Sequence, residues 1–288
     1  MNTTIVSPGE LADSVYHGAP ITILASYWRP QVGAGHVKYL SEHIPTALFC
    51  DPPYALAGIP SSTRGRNPLP DPDLVMQWFR KWGLEAGRPV VVYDEGRGLY
   101  AARAWWILRW AGVNQVSLLD GGMAQWEMQG HKIVGGPGNL PLPCTMRVNP
   151  GMMPVASIEE VKDFDGILLD TREPDRFAGR REILDLKAGH IPGAINLPNR
   201  ALLHANHTFR SPREIRETFA EIGINEDSEV IIYSGSGNHS VQVIAAMEYA
   251  GLPIPKHFIG GWSQWSATVT NPVEIGDGRR LTPCRASL

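Results

Sequence analysis

A run of glycines and small polar residues at positions 234–240 carries the chemistry that the sequence most clearly suggests. The largely apolar residues 229–233 before it are typical of a buried strand, and a helical pattern follows it, so we expect a strand-to-helix loop. Small residues allow several backbone N–H groups to point into one concavity, and the helix adds the positive end of its dipole. Ser234, the first residue of the loop, is therefore expected to lie where an anion would be held.

The loop supplies both a candidate reactive group and candidate ligand contacts. Beside Ser234, the residues expected to line a binding site are Gly235, Ser236, Gly237, Asn238, His239 and Ser240. A hydrolase elbow needs glycine two places before and two places after its serine, and neither Ser234 nor Ser236 has this spacing. A cysteine-phosphatase loop needs a phosphate-binding arginine where this chain has Ser240. His239 either faces the site, as a proton donor or hydrogen-bond partner, or turns to solvent.

The composition is that of an ordinary globular protein of one or two domains. The 288 residues are 43% hydrophobic and 19% charged, with a formal net charge of −3. This charge gives no reason to expect nucleic acid or an anionic membrane as a partner, and no apolar run reaches the roughly 20 residues of a membrane span. Without a secretion signal at the start, a cytoplasmic location is expected. Three widely spaced cysteines, Cys50, Cys144 and Cys284, predict neither a disulfide framework nor a metal site, and no motif calls for a cofactor.

The second half of the chain repeats the landmarks of the first half in the same order. Capping boxes at residues 7–10 and 157–160 each predict the start of a helix, and a third at residues 211–214, with a proline in the first turn, predicts another. An apolar strand follows at residues 21–25 and again at 167–170, and a His-Ile-Pro motif at residues 43–45 and 190–192. A second apolar strand lies at residues 90–94 and 230–234, and a Gly-Gly motif at residues 120–126 and 259–265. A repeat on this scale predicts two similar domains.

The elements between these landmarks predict an α/β fold in which each domain has a mostly parallel sheet with helices on both faces. Short continuous apolar strands alternate with helical segments, which is typical of parallel sheets covered on both sides. We place the domains at residues 1–134 and 155–288, joined by the Gly- and Pro-rich linker 135–154. The tryptophans of the predicted helices 74–82 and 101–110 are expected to pack in the cores.

Several ordered motifs carry a resemblance to a known family. They lie at residues 170–172, 176–177, 189–196, 234–240 and 260–265, and in the first half at residues 42–49 and 120–126. Together they resemble the signatures of the tandem-domain rhodanese-type sulfurtransferases, which include thiosulfate sulfurtransferase and 3-mercaptopyruvate sulfurtransferase. The resemblance implies two tandem rhodanese-like domains, of which the second carries the active loop. Asp94 stands where the active cysteine would be in the first half, as is usual for the family's non-catalytic N-terminal domain.

The resemblance also implies a reaction at position 234. In this family a cysteine there takes a sulfane sulfur from thiosulfate or 3-mercaptopyruvate as a persulfide and passes it to a thiol or to cyanide. The loop amides and the helix end would lower the pKa of that thiol. A serine forms no sulfur–sulfur bond, so the chain with Ser234 is expected to be inactive. Three accounts are open: a cysteine replaced by an introduced mutation, a naturally inactive module that binds an anion or a partner protein, and a working serine nucleophile.

The donor is left open by the resemblance. The Gly-Ser-Gly core of the loop resembles mercaptopyruvate-type members, although Asn238 and His239 depart from the small apolar residue and threonine that usually follow. By resemblance Arg176 would bind the donor's carboxylate, unless it forms an ion pair with Asp175 or Glu173.

Other polar residues have two interpretations each. Asn67 stands where mercaptopyruvate-type members place a histidine, which makes thiosulfate an alternative donor. Arg64 and Arg66 would then favour such an anion, or else lie in a solvated loop. Arg180 and Arg181 fall near a second anion-binding position of the family, but the alignment there is not in register.

Two residues of the signatures are expected to be structural. His190 has a counterpart in His43, although the first half lacks the reactive residue, so both are expected to hold a strand and its turn. Asp170 and Asp120 end strands in the two halves and are expected to bind backbone N–H groups.

Overall fold

The structure is a computed structural model that describes residues 4–278, so Cys284 lies outside the described residues. These residues form two compact units. The first comprises residues 4–58, 69–153 and 205–208, and the second comprises residues 59–68, 154–204 and 209–278. The second unit thus takes in a short segment from the first half of the chain, residues 59–68. The domain boundaries given above stay a prediction.

The first unit is built on a five-stranded sheet in which every pairing is parallel. Its elements in chain order are β1 (Ile5–Val6), α1 (Pro8–Tyr16), β2 (Thr22–Ser26), α2 (Ala34–Ser41), β3 (Leu48–Cys50), α3 (Pro52–Ala55), α4 (Pro72–Trp82), β4 (Val90–Tyr93), α5 (Leu99–Trp110), β5 (Val116–Leu119) and α6 (Gly122–Met128). The strands lie in the order β1-β5-β4-β2-β3.

The second unit repeats this design with a four-stranded parallel sheet. Its elements are α7 (Ile158–Lys162), β6 (Ile167–Asp170), α8 (Pro174–Phe177), β7 (Ile195–Asn196), a 3₁₀ helix (Asn199–Leu202), α9 (Pro212–Glu221), β8 (Val230–Tyr233), α10 (Asn238–Tyr249), β9 (Lys256–His257) and α11 (Gly261–Trp265). The strand order β9-β8-β6-β7 matches β5-β4-β2-β3 of the first unit strand for strand. The predicted α/β fold and its internal repeat are therefore confirmed.

The predicted helix starts are confirmed by their caps. At Ser7, Ser157 and Ser211 the hydroxyl accepts from the backbone N–H three residues later, and the glutamate at that place bonds back to the serine amide. Each box satisfies N–H groups that the first helical turn cannot pair. Pro212 occupies the first turn of α9, where the missing N–H would have no helical partner in any case.

Buried apolar residues fill the space between each sheet and its helices. Strands β4 and β8 are buried along their whole length, which explains why their sequences are continuous apolar runs. Of the tryptophans in the predicted helices, Trp82, Trp105, Trp106 and Trp110 are at most 6% exposed and pack in the core, as predicted, whereas Trp78 is only partly buried. Because parallel strands all end at one edge of the sheet, the residues after β4 and β8 lie at the edge where such folds place their sites.

The described cysteines are free thiols. Cys50 is fully buried and Cys144 is partly buried. Burial raises the pKa of the Cys50 thiol, which makes it a poor nucleophile. Within residues 4–278 no helix is both long and apolar enough to cross a bilayer.

Candidate active site

Ser234 lies at the carboxyl end of β8, in the loop of residues 234–237 that leads into α10. Its side chain is fully buried, and its Oγ accepts a hydrogen bond of 3.0 Å from the backbone N–H of Gly237. Gly237 has a φ of +85°, a left-handed conformation that glycine adopts without strain. The loop therefore closes around position 234 with a backbone donor directed at the side chain.

The carbonyl groups of the loop are held by the Gly-Gly-Trp motif. The amide of Trp262 donates to the carbonyl of Ser234 at 2.8 Å, and the amide of Ser263 donates to the carbonyl of Gly235 at 3.0 Å. Gly261 is required here because a Cβ on it would lie 2.2 Å from the Ser234 carbonyl oxygen, and its φ is +55°. The closing signature of the sequence thus fixes the orientation of the active-loop backbone.

The remaining loop amides are open to a ligand. Within residues 4–278, no protein atom accepts a hydrogen bond from the backbone N–H groups of Ser236, Asn238 and His239. Asn238 and His239 begin the 12-residue helix α10, so their amides belong to the positive end of its dipole. Such a group of donors is suited to an anion, and the binding of an anion there stays a prediction.

In the first unit, the backbone amides of the corresponding loop bind a carboxylate of the protein itself. Asp94 follows β4 as Ser234 follows β8, and its buried carboxylate accepts four backbone hydrogen bonds. The donors are Gly96 and Gly98 at 2.9 Å each, Tyr100 at 3.0 Å and Ala101 at 3.3 Å. This loop, residues 94–98, is one residue longer than the loop 234–237, so the two are not identical in detail. In the first unit an internal carboxylate already occupies the cradle.

The guanidinium groups of two arginines lie close to Gly235 in the loop of the second unit. A Cβ placed on Gly235 would lie 3.1 Å from Arg66 Nη2 and 3.2 Å from Arg176 Nη1. Among the residues that the structure describes, no protein acceptor binds either of these two nitrogens. The absent side chain at Gly235 therefore lets both guanidinium groups approach the loop, and we call the space where Arg66 Nη2 and Arg176 Nη1 face Gly235 the gap.

The other edges of these arginines bind carboxylates. Arg176 Nη2 donates to both carboxylate oxygens of Glu182 and to Asp185 Oδ2, at 2.9 Å each, and Arg66 Nη1 bonds to Asp185 Oδ1. Both carboxylates are at most 5% exposed. Burial opposes the ionisation of Glu182, but the Leu184 amide and Arg176 hold its pKa below its ordinary value. The arginines are thus fixed in place by Glu182 and Asp185, and not by Asp175 or Glu173, the ion-pair partners considered from sequence.

The remaining polar candidates separate into two groups. Asn67 lies at the loop and donates through Nδ2 to the carbonyl of Ser236 at 3.2 Å. Arg64 and Arg181 are exposed, and Arg180 bonds on the surface to Asp175 and Asp277. Of the four arginines with open roles, only Arg66 is brought to the site.

His239 is partly buried and does not turn to solvent. Burial, and the positive charge of Arg176, lower the pKa of its imidazole, with a weaker opposing effect of Asp170. The ring is therefore neutral near pH 7. A neutral imidazole offers a hydrogen bond to a ligand more readily than it acts as a cationic acid.

Sequence reasoning missed one partner of the loop. Ser240 was named only as part of the loop, yet its Oγ lies 3.1 Å from Ser234 Oγ and 2.8 Å from His257 Nε2. All three side chains are fully buried. His257 belongs to no motif, and β9 consists only of Lys256 and His257, so its sequence gives no signal that the histidine lies at the site.

The signature residues expected to be structural are so placed. His190 is fully buried, and its Nδ1 bonds to the Phe177 carbonyl at 2.8 Å, much as His43 Nδ1 bonds to the Tyr39 carbonyl. Asp170 accepts from the Arg172 amide and binds its guanidinium through both oxygens. The Arg172 guanidinium also lies 4.6 Å from the centre of the Trp262 ring. The buried Asp170–Arg172 pair thus packs against Trp262, whose amide binds the active loop.

Comparison with known proteins identifies relatives over nearly the whole chain. Residues 32–129 and 156–268 each match the family described as "Rhodanese-like domain". SseB of Mycobacterium tuberculosis, provisionally named a thiosulfate sulfurtransferase, is 34% identical over 277 residues, covering 94% of this chain and 97% of that protein. The 3-mercaptopyruvate sulfurtransferase of Escherichia coli is 31% identical over 251 residues, covering 82% and 85%. The solved structure of 3-mercaptopyruvate sulfurtransferase from Leishmania major aligns with a TM-score of 0.83 at 27% identity, over 94% of this chain and 76% of that one.

Proposed function

Because this chain belongs to the rhodanese-like domain family, we propose that its second unit is the transfer unit of a sulfurtransferase whose reactive position is residue 234. The observation that carries the proposal is the gap at Gly235, where two guanidinium nitrogens without a protein acceptor among the described residues, Arg66 Nη2 and Arg176 Nη1, face the active loop. Relatives of similar length are named as sulfurtransferases that act on thiosulfate or 3-mercaptopyruvate. Both donors are small anions, which is the ligand class that this gap suits.

The transfer is a two-step exchange at a thiolate in position 234. With thiosulfate, the thiolate attacks the outer sulfur, a new sulfur–sulfur bond forms, the donor's own sulfur–sulfur bond breaks, and sulfite leaves with the electron pair. With 3-mercaptopyruvate the carbon–sulfur bond breaks instead, and the enolate of pyruvate leaves and takes up a proton. The persulfide then gives its outer sulfur to a thiol or to cyanide, which restores the thiolate.

The residues of the second unit have distinct parts in this reaction. Arg66 Nη2 and Arg176 Nη1 bind the sulfonate or carboxylate end of the donor, since guanidinium nitrogens match such oxygens. The amides of Ser236, Asn238 and His239 stabilise the persulfide anion. In the first unit, amides of the matching loop and helix start bind the carboxylate of Asp94, among them that of Tyr100, which stands at the place of His239. No metal or organic cofactor enters the scheme.

The chain with Ser234 does not perform this transfer. A hydroxyl has a pKa far above that of a thiol, and oxygen cannot carry a sulfane sulfur as a persulfide. The rest of the site remains assembled around Ser234, which is what an introduced replacement of cysteine by serine would leave. On this proposal the active protein has cysteine at position 234.

The test restores the thiol. The Ser234→Cys variant and the chain with Ser234 are each incubated with thiosulfate or with 3-mercaptopyruvate, and intact mass is measured. We expect the variant alone to gain one sulfur atom, located at position 234 by peptide mapping, and to lose it on addition of cyanide. The chain with Ser234 is the matched control for sulfur taken up by the other cysteines. Absence of any gain with both donors would refute the proposal.

A second candidate function is a naturally inactive module that binds an anion or a partner protein. The observation that favours it is that the guanidinium nitrogens and loop amides at the gap need no thiol in order to bind an anion. It predicts that the native gene encodes serine at this position and that Ser234→Cys takes up no sulfur, while thiosulfate still binds in calorimetry. Sequencing the native codon separates the two candidates.

A further inference from the structure

A chain of hydrogen bonds runs from position 234 into the core of the second unit. The Gly237 amide donates to Ser234 Oγ, which lies 3.1 Å from Ser240 Oγ, and Ser240 Oγ lies 2.8 Å from His257 Nε2. Ser234, Ser240 and His257 are each 0% exposed. The imidazole is thus connected to the reactive position through a single hydroxyl, away from solvent.

The first unit shows that the fold does not need this pair. In the first sheet Val92 pairs with Leu118, and in the second sheet the corresponding Ile232 pairs with His257. The third residue of α5 is Ala101, whereas the third residue of α10 is Ser240. The same two places therefore hold leucine and alanine in the unit whose loop is filled by an internal carboxylate, and histidine and serine in the unit whose loop is open.

Burial makes the histidine and serine an unfavourable choice on structural grounds alone. Moving a polar group from water into a core is unfavourable unless its hydrogen bonds are replaced, and an apolar residue of similar shape fills the place without that penalty. Leu118 and Ala101 are such residues, each at 2% exposure. A polar pair retained only beside the reactive position indicates a role in the chemistry of that position.

We propose that Ser240 and His257 form a proton relay for the reactive group at position 234, with His257 as the terminal proton acceptor. The inference rests on the proposed function in one respect, that the group at 234 in the active protein is a thiol. The thiol donates to Ser240 Oγ, and the Ser240 hydroxyl donates to His257 Nε2. When the thiol proton moves to Ser240, the hydroxyl proton of Ser240 moves to His257. A thiolate and an imidazolium result, with no change in total charge.

The relay lowers the pKa of the thiol for two reasons. The imidazole accepts the proton inside the core, and Ser240 then donates its hydrogen bond to the anion together with the Gly237 amide. A hydrogen bond to a charged acceptor is stronger than one to a neutral thiol, which is a weak donor and acceptor. His257 acts through Ser240 and is therefore a positioning residue, whereas Ser240 touches the reacting group directly.

The test measures the ionisation of the thiol directly, without any sulfur donor. In the Ser234→Cys background, the rate of alkylation at position 234 by iodoacetamide is followed from pH 5 to 10 by peptide mass spectrometry. We expect Ser240→Ala and His257→Leu, the residues of the first unit, each to raise the midpoint by about one pH unit and to slow alkylation below the midpoint about tenfold. Because the two act in series, the double variant should shift the midpoint no further than the larger single shift.

Other charged groups near the loop are unchanged in these variants, so the comparison isolates the relay. They are Arg66, Arg172 and Arg176, their carboxylate partners Asp170, Glu182 and Asp185, and the imidazole of His239. Val243→Ala, a buried residue of α10 outside the relay, serves as a control for general loosening of the helix.

Two results would overturn the relay: midpoints that do not move in Ser240→Ala and His257→Leu, or a shift of the same size in Val243→Ala. Ser240→Ala decides the matter if His257→Leu does not fold, because alanine is already accommodated at the matching place in the first unit. A shifted midpoint without sulfur uptake supports the relay and refutes the proposed function. Sulfur uptake with unmoved midpoints refutes the relay and supports the proposed function.

Discussion

The gap at Gly235 gives the sharpest test of how the site binds its anion. We consider Gly235→Ala in the chain with Ser234, where binding is measured without turnover. The new Cβ would lie 3.1 Å from Arg66 Nη2 and 3.2 Å from Arg176 Nη1, closer than ordinary van der Waals contact. It would therefore push both nitrogens away from the loop, out of the positions in which they would bind the anion.

The magnitude follows from the contacts that are lost. A hydrogen bond to a charged group contributes about 1.5–3 kcal/mol, and two such bonds meet in the gap. The guanidinium ends can shift by a few tenths of an ångström, so we expect the loss of about one bond, roughly 2 kcal/mol. The dissociation constant for thiosulfate should then rise about 30-fold.

Folding should be nearly unaffected by the same change. The nearest atoms to the new Cβ are the ends of two flexible side chains, and alanine restricts the unfolded chain more than glycine does. We expect the free energy of unfolding to change by about 1 kcal/mol or less. Thiosulfate binding is measured by isothermal titration calorimetry, and stability by urea unfolding.

Gly9→Ala provides the matched control, since a Cβ on Gly9 would have no neighbour within 4 Å. It should leave thiosulfate binding unchanged. Unchanged binding in Gly235→Ala would refute the assignment of the gap as the anion site. A large loss of stability in Gly235→Ala would show instead that the glycine is required by the fold.

Two further predictions concern the carboxylate cradle and the pH response. Asp94→Asn replaces one of the two oxygens that accept four backbone N–H groups, so urea unfolding should show a loss of about 3 kcal/mol, whereas Asp71→Asn at an exposed helix cap should change stability by roughly 0.5 kcal/mol or less. Equal effects would contradict the role of Asp94 as an internal anion. The lowered pKa of His239 means that below the unfolded-state pKa of 6.5 the unfolded chain binds a proton that the folded chain does not. Stability should therefore fall between pH 7 and 5, and His239→Gln should reduce that fall; an identical pH profile in the variant would count against the shift.

The sequence predicted the elements well because their signals are local. Capping boxes at Ser7, Ser157 and Ser211 bond within four residues, so the helix starts follow from spacing alone. Strands β4 and β8 are continuous apolar runs because both faces of their sheets are covered. The internal repeat also predicted a tertiary position, which single elements do not. Because the two units share one strand order, Asp94 and Ser234 must follow equivalent strands at the same edge of their sheets.

The site was only partly predictable because its members come from distant segments. Arg66 and Asn67 lie in a stretch with neither helical nor strand periodicity, and no local pattern tells that they reach Gly235 and Ser236. Arg176 was found through the signature, but its partners were not, because Glu182 and Asp185 approach it through an irregular loop.

His257 shows a different limit. A histidine in a two-residue strand has no recognisable spacing to Ser240, which lies 17 residues earlier on a helix. The strand register pairs Ile232 with His257 and Val92 with Leu118. Only this register shows that histidine in the second unit takes the place of leucine in the first.

The assignment of residues 59–68 to the second unit has a practical consequence for dissecting this protein. A fragment expressed from residue 154 onward would contain the reactive position but would lack the Arg66 guanidinium and the Asn67 amide group. Such a truncated polypeptide should capture thiosulfate poorly even if it folds, and adding back a synthetic peptide of residues 59–68 should restore part of the lost affinity. The second half of the chain therefore does not contain the whole proposed site, because two of its residues come from the first half.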